Sequence, residues 1–435
     1  IYSEDKSIYT TNKPVYSLFA SPSQVKDKKI TSSMLAKILA ADPTDQKSVL
    51  SKQEEIYSKI DQNLSWVTLE KNIEVETKMD IEKMGITGLN FEESSARLYP
   101  EASSAAHILG FVGSDESGNQ KGYFGIEGYY DRQLRGVKGE VTEEKDAGGL
   151  PILIGRFLKQ SSQKGYDLTL NIDRGVQYIV EKKLKAGMEK YEAKSGSVLV
   201  MDPMTGAIIA MANFPNYDPN DYTNYFKSSF KNPIVADSYE PGSTFKTLIM
   251  AAGINEDAVK PDTKCDECAG PVVIGQYSIR TWDNKYRPNE TMQDVITQSD
   301  NTGMVFLGKK LGQDKLYDYI QKFGFGKMTQ IDLEDENSPD LRPKKDWREI
   351  DYATATFGQG VAVTPIQMVR AVSSIANGGY LFEPHVVKII SSDNKTIEIK
   401  PKVVGQPISA KTAGTIKEMM VKAVDEGEAG RLAPK

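Results

Sequence analysis

Residues 240–247 read Glu-Pro-Gly-Ser-Thr-Phe-Lys-Thr, and an uncharged, mostly apolar run from Leu248 through Ala252 follows at once. Pro241 and Gly242 are turn residues, so the pattern predicts a turn feeding a helix that is hydrophobic nearly all round. Such a helix belongs in a core, and a core built around it fixes much of what the chain can fold into. Ser243 falls at the helix start, where unpaired backbone N–H groups can stabilise an anion. Lys246 lies three residues on, one turn along the same side. A serine hydroxyl is a weak nucleophile until a base removes its proton. A lysine held against apolar wall and near other cations can lose its own proton and act as that base. A solvated lysine with a capping serine is the bland alternative, and the buried character of the helix argues against it. Ser-x-x-Lys is the pattern of acyl-serine chemistry.

The chain holds only two histidines, His107 and His385, both remote in sequence from Ser243. This favours lysine over histidine as the base, and both histidines are expected to be structural. With 435 residues, 39% hydrophobic and 26% charged, the composition is globular and long enough for about two to four domains. A net charge of −6 lacks the basic stripe of a nucleic-acid binder, so no nucleic-acid partner is expected. No run of about 18 apolar residues occurs, so nothing in the sequence reads as a membrane span. The chain opens on Ile1, and an N-terminal anchor or signal is expected to lie ahead of it. Cys265 and Cys268 form an isolated Cys-x-x-Cys without a second ligand pair for zinc, which leaves a local disulfide or two free thiols.

Along the chain, Pro14–Phe19 has strand character, residues 31–92 look helical and polar-rich, and 93–150 are rich in glycine and turns. The Gly122–Gly128 stretch has no phosphate-loop spacing. A strand ending near Asp173 and an amphipathic helix over Gln177–Met188 follow. Ser197–Met201, the turn Asp202–Gly206 and Ala207–Met211 predict a hairpin. The resulting division is 1–155 for an N-terminal module, 156–195 for a connecting strand and helix, and 196–435 for the catalytic module. Downstream, Ser299-Asp300-Asn301 offers a hydroxyl and an amide two residues apart, which in an extended or loop segment would face one cleft. Alone, Ser-x-Asn is an everyday turn or cap.

Taken in order, these motifs make the chain resemble the class B penicillin-binding proteins. Ser243-Thr244-Phe245-Lys246 and Ser299-Asp300-Asn301 match that family's first two active-site motifs. Phe357-Gly358-Gln359-Gly360 with Val363-Thr364-Pro365-Ile366-Gln367, and Asn377-Gly378-Gly379 before Pro384, are also similar to it. Arg97-Leu98-Tyr99-Pro100, His107–Phe111 and Gly125-Ile126-Glu127-Gly128 resemble its N-terminal pedestal, so the likeness covers nearly the whole chain. The resemblance implies an α+β catalytic domain of β-lactamase/transpeptidase type, with a central antiparallel sheet and helices on both sides, plus an elongated N-terminal pedestal. It implies a D,D-transpeptidase that cross-links peptidoglycan stem pentapeptides, needs no cofactor or metal, and is acylated by β-lactams. Ser243 would be the nucleophile, Lys246 the base, Ser299 the proton relay, and Asn301 the group that holds substrate and Lys246. It further implies an anchored protein on the outer face of a bacterial membrane, partnered by a membrane-embedded glycan polymerase. The alternatives are a catalytically silent β-lactam sensor or scaffold and, against the long N-terminal module, a serine β-lactamase.

One departure stands out. The third motif, Lys-(Thr/Ser)-Gly, is missing, because Lys411-Thr412-Ala413-Gly414 carries an inserted alanine. That segment leads into Ile416–Val424, which has helical periodicity. A helix packed on the sheet, with Lys411-Thr412 in its cap region, is expected there. The third-motif strand is expected beyond Lys435, and without it one wall of the cleft and half of an oxyanion hole are lacking.

Overall fold

The computed structural model describes residues 1–137, 139–143, 157–160 and 163–427. They form two compact units, Tyr9–Pro100 and a larger one joining Ile1–Ile8 to Glu101–Lys435. The sequence-based seam at 155/156 lies outside the described residues.

In the smaller unit, Thr11–Ala20 is the central strand of a three-stranded antiparallel sheet, flanked by Val67–Ile73 and Leu89–Leu98. Helices Lys28–Leu39 and Gln46–Ile60 begin where Asp27 and Asp45 accept backbone N–H groups of Ile30 and of Lys47 and Ser48. Leu35, Ile56 and Ile60 bury against Leu18, Leu69 and Ile81. The expectation of a helical stretch over 31–92 is corrected by the strands Val67–Ile73 and Leu89–Leu98. Polar Glu70, Lys71 and Asn72 hide the first, and pairing with Thr11–Ala20 overrides local propensity.

In the larger unit, Asp173 caps helix Arg174–Tyr191 through Val176 N–H, and that helix packs on the hairpin Gly196–Met201/Ile208–Phe214. The expected hairpin is present, and it pairs Met201 with Ile208 and Gly196 with Phe214. Asp202 tightens its turn by accepting from Met204 N–H and the Thr205 hydroxyl. Helix Pro365–Ala376 also packs on the hairpin. Its start is a capping box, Thr364 with Gln367, followed by proline at the first helical position. A second sheet orders Lys395–Glu398, Val387–Ser392 and Asp167–Leu170, and Tyr2 bridges to its edge at Thr169.

The main core surrounds helix Lys246–Asn255, whose Leu248, Ile249, Met250, Ala251 and Ala252 are fully buried. Helix Ala410–Glu426 is capped by the Ser409 hydroxyl, so Lys411 and Thr412 fall in its first turn. It buries Ile416 and Met419 against the helices Lys246–Asn255, Met292–Thr297 and Pro365–Ala376. This corrects the expected packing on a sheet: the apolar stripe meets other helices. Cys265 and Cys268 are joined in a disulfide. Among the described residues no helix is long and apolar enough to cross a membrane.

Candidate active site

The segment before Ser243 is pinned by a second stretch of chain. Tyr239 and Val363 exchange both backbone hydrogen bonds at 2.9 Å, and Gly242 N–H donates to Gly358 carbonyl at 3.0 Å. Gly358 has φ +75°, and a Cβ there would meet the Gly242 carbonyl oxygen at 2.2 Å. Only glycine allows that approach, which gives the Phe357-Gly358-Gln359-Gly360 stretch its structural reason. Gly360 N–H adds a bond to the Glu240 carboxylate at 2.9 Å.

Gly242–Phe245 is a single 3₁₀ turn leading into helix Lys246–Asn255. Ser243 is exposed on that turn and caps neither element. It lines a cleft of about 650 Å³ with Thr247, Trp282, Ser299, Asn301, Phe357 and the α-helical residues Met420 and Val424. Lys246 faces inward, only 2% exposed. Its Nζ donates to the Ser299 carbonyl at 2.6 Å and the Asn301 Oδ1 at 2.8 Å, and lies 3.1 Å from Ser299 Oγ. Burial lowers its pKa to about 8, while the neighbouring Asp300 carboxylate works in the opposite direction. Of the two expected causes, apolar wall and nearby cations, the first does the lowering, by desolvation.

Ser299 and Asn301 reach Lys246 from a turn between two helices, the loop-like one of the two settings expected for them and not the extended one. Ser299 takes a left-handed conformation, φ +54°, at the junction of helices Met292–Thr297 and Asn301–Leu311. Asp300 caps the second helix, and Asn301 is its first residue. The Asn301 amide also donates to the Arg280 carbonyl at 2.9 Å, fixing which way its oxygen faces. A non-glycine residue held at positive φ is strained, and such strain concentrates at functional sites.

A neutral lysine amine has two N–H donors and one lone pair. The Ser299 carbonyl and Asn301 Oδ1 can only accept from it, so they take the two N–H groups. The lone pair is then left for a hydroxyl, the Ser299 one at 3.1 Å or an incoming one from the cleft. This is the arrangement a general base requires.

The cleft also holds Trp282, which sequence reasoning passed over. It is 58% exposed, and its indole N–H donates to the Gln298 carbonyl at 3.1 Å. An aromatic residue alone in the polar run Arg280–Asn284 was the available signal. His107 lies elsewhere, buried against Tyr217 with Nε2 3.1 Å from the Ser229 carbonyl. Burial drops its pKa to about 4, a structural role. Lys411 is exposed on its helix, and Thr412 donates to Asn255 Oδ1 at 2.9 Å.

Residues 196–434 match the Penicillin binding protein transpeptidase domain, and residues 1–170 the Penicillin-binding Protein dimerisation domain. Stage V sporulation protein D of Bacillus subtilis is 35% identical over 426 residues, 96% of this chain and 64% of that protein. Peptidoglycan D,D-transpeptidase FtsI of Escherichia coli K12 is 31% identical over 309 residues, 71% of this chain and 51% of that protein. The chain therefore spans between about half and two thirds of these relatives. The crystal structure of Penicillin Binding Protein 2X from Streptococcus thermophilus superposes with a TM-score of 0.75 at 25% identity, covering 97% of this chain and 64% of that one.

Proposed function

The chain belongs to the penicillin-binding protein transpeptidase family, and we propose that it is a D,D-transpeptidase cross-linking peptidoglycan stem pentapeptides through an acyl-enzyme at Ser243. The observation that carries this reading is Lys246, buried and hydrogen-bonded to Ser299 and Asn301, the two residues that share a cleft with the exposed Ser243.

Neutral Lys246 takes the Ser243 proton as Oγ attacks the carbonyl between the two terminal D-alanines. The Oγ–C bond forms, the C–N bond breaks, and Ser299 passes a proton to the departing D-alanine nitrogen. Asn301 orients Lys246 and the substrate backbone. Ser243 N–H supplies one oxyanion donor, a contribution of a few kcal/mol to the barrier, and a third-motif strand would supply the other. An amine of a neighbouring stem peptide then resolves the ester. A β-lactam enters as a mimic of the D-alanyl-D-alanine end and stops at the ester.

The Tyr9–Pro100 unit carries none of these residues, in keeping with residues 1–155 serving as a non-catalytic pedestal. Anchorage on the outer face of a bacterial membrane and a glycan-polymerase partner belong to the same proposal. They rest on the resemblance alone.

The test is mass spectrometry after benzylpenicillin treatment of a chain extended through a Lys-(Thr/Ser)-Gly strand. One adduct mapping to the peptide with Ser243 is expected. Absence of an adduct would leave a silent scaffold, and rapid release of hydrolysed drug would point to a β-lactamase.

A further inference from the structure

Behind the Ser299–Asn301 turn sit two buried carboxyl groups that none of these steps uses. Asp300 is 1% exposed, and its Oδ1 accepts from Thr302 N–H at 2.6 Å, Gly303 N–H at 3.1 Å and the Thr302 hydroxyl at 2.6 Å. Its Oδ2 meets no donor among the described residues. Glu290 is 6% exposed, and neither of its oxygens meets a donor there either. Of the charged groups around Glu290, Asp300 bears on it most, by charge and through a side-chain hydrogen bond. Two ionised carboxylates in that position repel, and each leaves buried lone pairs unsatisfied. A single proton between them removes both penalties, the solution seen wherever two carboxyls share one site.

The Glu290 backbone is tied down beside the disulfide. Its carbonyl accepts from Cys265 N–H at 2.8 Å, and Asn289 N–H donates to the Cys265 carbonyl at 3.0 Å. The charged groups around it are Asp300, Arg287 and Asp294. Arg287 is itself held by Asp283 at 2.8 Å, and beyond Asp300 stands Lys246. Burial and Asp300 push the Glu290 carboxyl up to about 8, with Arg287 pulling the other way.

We propose that Glu290 is a positioning residue that stays protonated, donates its O–H to Asp300 Oδ2, and so fixes the Ser299–Asn301 turn and the proton affinity of Lys246. This rests on Lys246 acting as the base. With the proton in place, Asp300 caps its helix through one oxygen and is satisfied at the other. Lys246 then faces one negative charge. Once Glu290 ionises, Lys246 faces two, and its proton is harder to remove.

The test takes the chain extended through a Lys-(Thr/Ser)-Gly strand as the parent and compares it with its Glu290→Gln and Glu290→Ala variants, using three readouts. The first is thermal unfolding from pH 4 to 9. An acid whose folded pKa is raised contributes stability below its unfolded pKa, and that stability is lost as pH climbs through the folded value. The parent is therefore expected to lose stability relative to Glu290→Gln between about pH 4.5 and about 8. The second is the infrared carbonyl band of a buried carboxylic acid, expected in the parent at pH 6, gone by pH 9, and missing from Glu290→Gln. The third is the penicillin acylation profile. Glu290→Gln keeps the donor to Asp300, so its rate stays near the parent's, with the midpoint moved to lower pH. Glu290→Ala is expected to acylate roughly tenfold more slowly, a one-pK-scale loss of orientation. Superimposable unfolding profiles and bands for the parent and Glu290→Gln would overturn the proposal, as would a Glu290→Ala that acylates like the parent. If the parent forms no adduct, the transpeptidase reading fails on its own, while the first two readouts still decide where the proton sits.

Discussion

Ser243→Ala is expected to eliminate the penicillin adduct and leave the unfolding midpoint where it was. The hydroxyl is exposed and caps no helix, so its removal should cost no more than the ±0.5 kcal/mol or so of an ordinary surface change. Lys246→Met is the companion variant. Losing a positioned general base slows a step by about 10²–10⁴-fold, and acylation should fall by about 10³-fold within that range. The thioether chain fills the same space, and the bonds lost to Ser299 and Asn301 are offset by no longer burying an amine. The parent rate should rise with pH as Lys246 loses its proton near its pKa of about 8, and the Lys246→Met rate should lack that rise. Stopped-flow labelling of the extended chain and its two variants with a fluorescent penicillin decides both. Stoichiometric labelling of Ser243→Ala, or a Lys246→Met rate within tenfold of the parent, would remove these residues from the roles given to them.

What the sequence made legible follows from where the information is local. The turn and apolar run at 240–252 specify a buried helix by themselves, and the hairpin at 196–214 is encoded by β-branched runs around Asp202–Gly206. Helix Pro365–Ala376 carries its start signal in Thr364, Pro365 and Gln367, residues the sequence reading used only for the family resemblance. Other features depend on partners distant in sequence. Strand Val67–Ile73 exists because Thr11–Ala20 is there to pair with it. The left-handed turn at Ser299 has no glycine to signal it, so Ser-x-Asn by itself left an extended segment, a loop or a cap open. The apolar run after Lys246 already signalled its burial and a lowered pKa, while the elements that complete that burial lie elsewhere in the sequence. Glu290 is separated from Asp300 by a whole helix in sequence and meets it only after folding.

The same long-range logic makes Asp332 a polar residue whose loss should cost heavily in stability. Its carboxylate accepts from Val386 N–H at 2.6 Å, Val387 N–H at 2.9 Å and the Tyr130 hydroxyl at 3.1 Å. It thereby joins the strand Val387–Ser392 to the short helices around Tyr130. Burial pushes the carboxyl pKa up, while these donors pull it back down. Asp332→Ala would leave two backbone N–H groups and a phenol without their acceptor. Unsatisfied buried groups cost about 1–3 kcal/mol each, so a loss of about 3–5 kcal/mol is expected after relaxation. Asn at this position keeps one acceptor but turns an amide N–H toward a backbone N–H, so Asp332→Asn should fall between Ala and the parent. Urea unfolding should show a lower midpoint at unchanged slope for both variants. Asp332 is not among the residues lining the cleft, so the folded fraction of each should still acylate at the parent rate. A midpoint for Asp332→Ala within about 1 kcal/mol of the parent's would mean that water takes over the carboxylate's bonds.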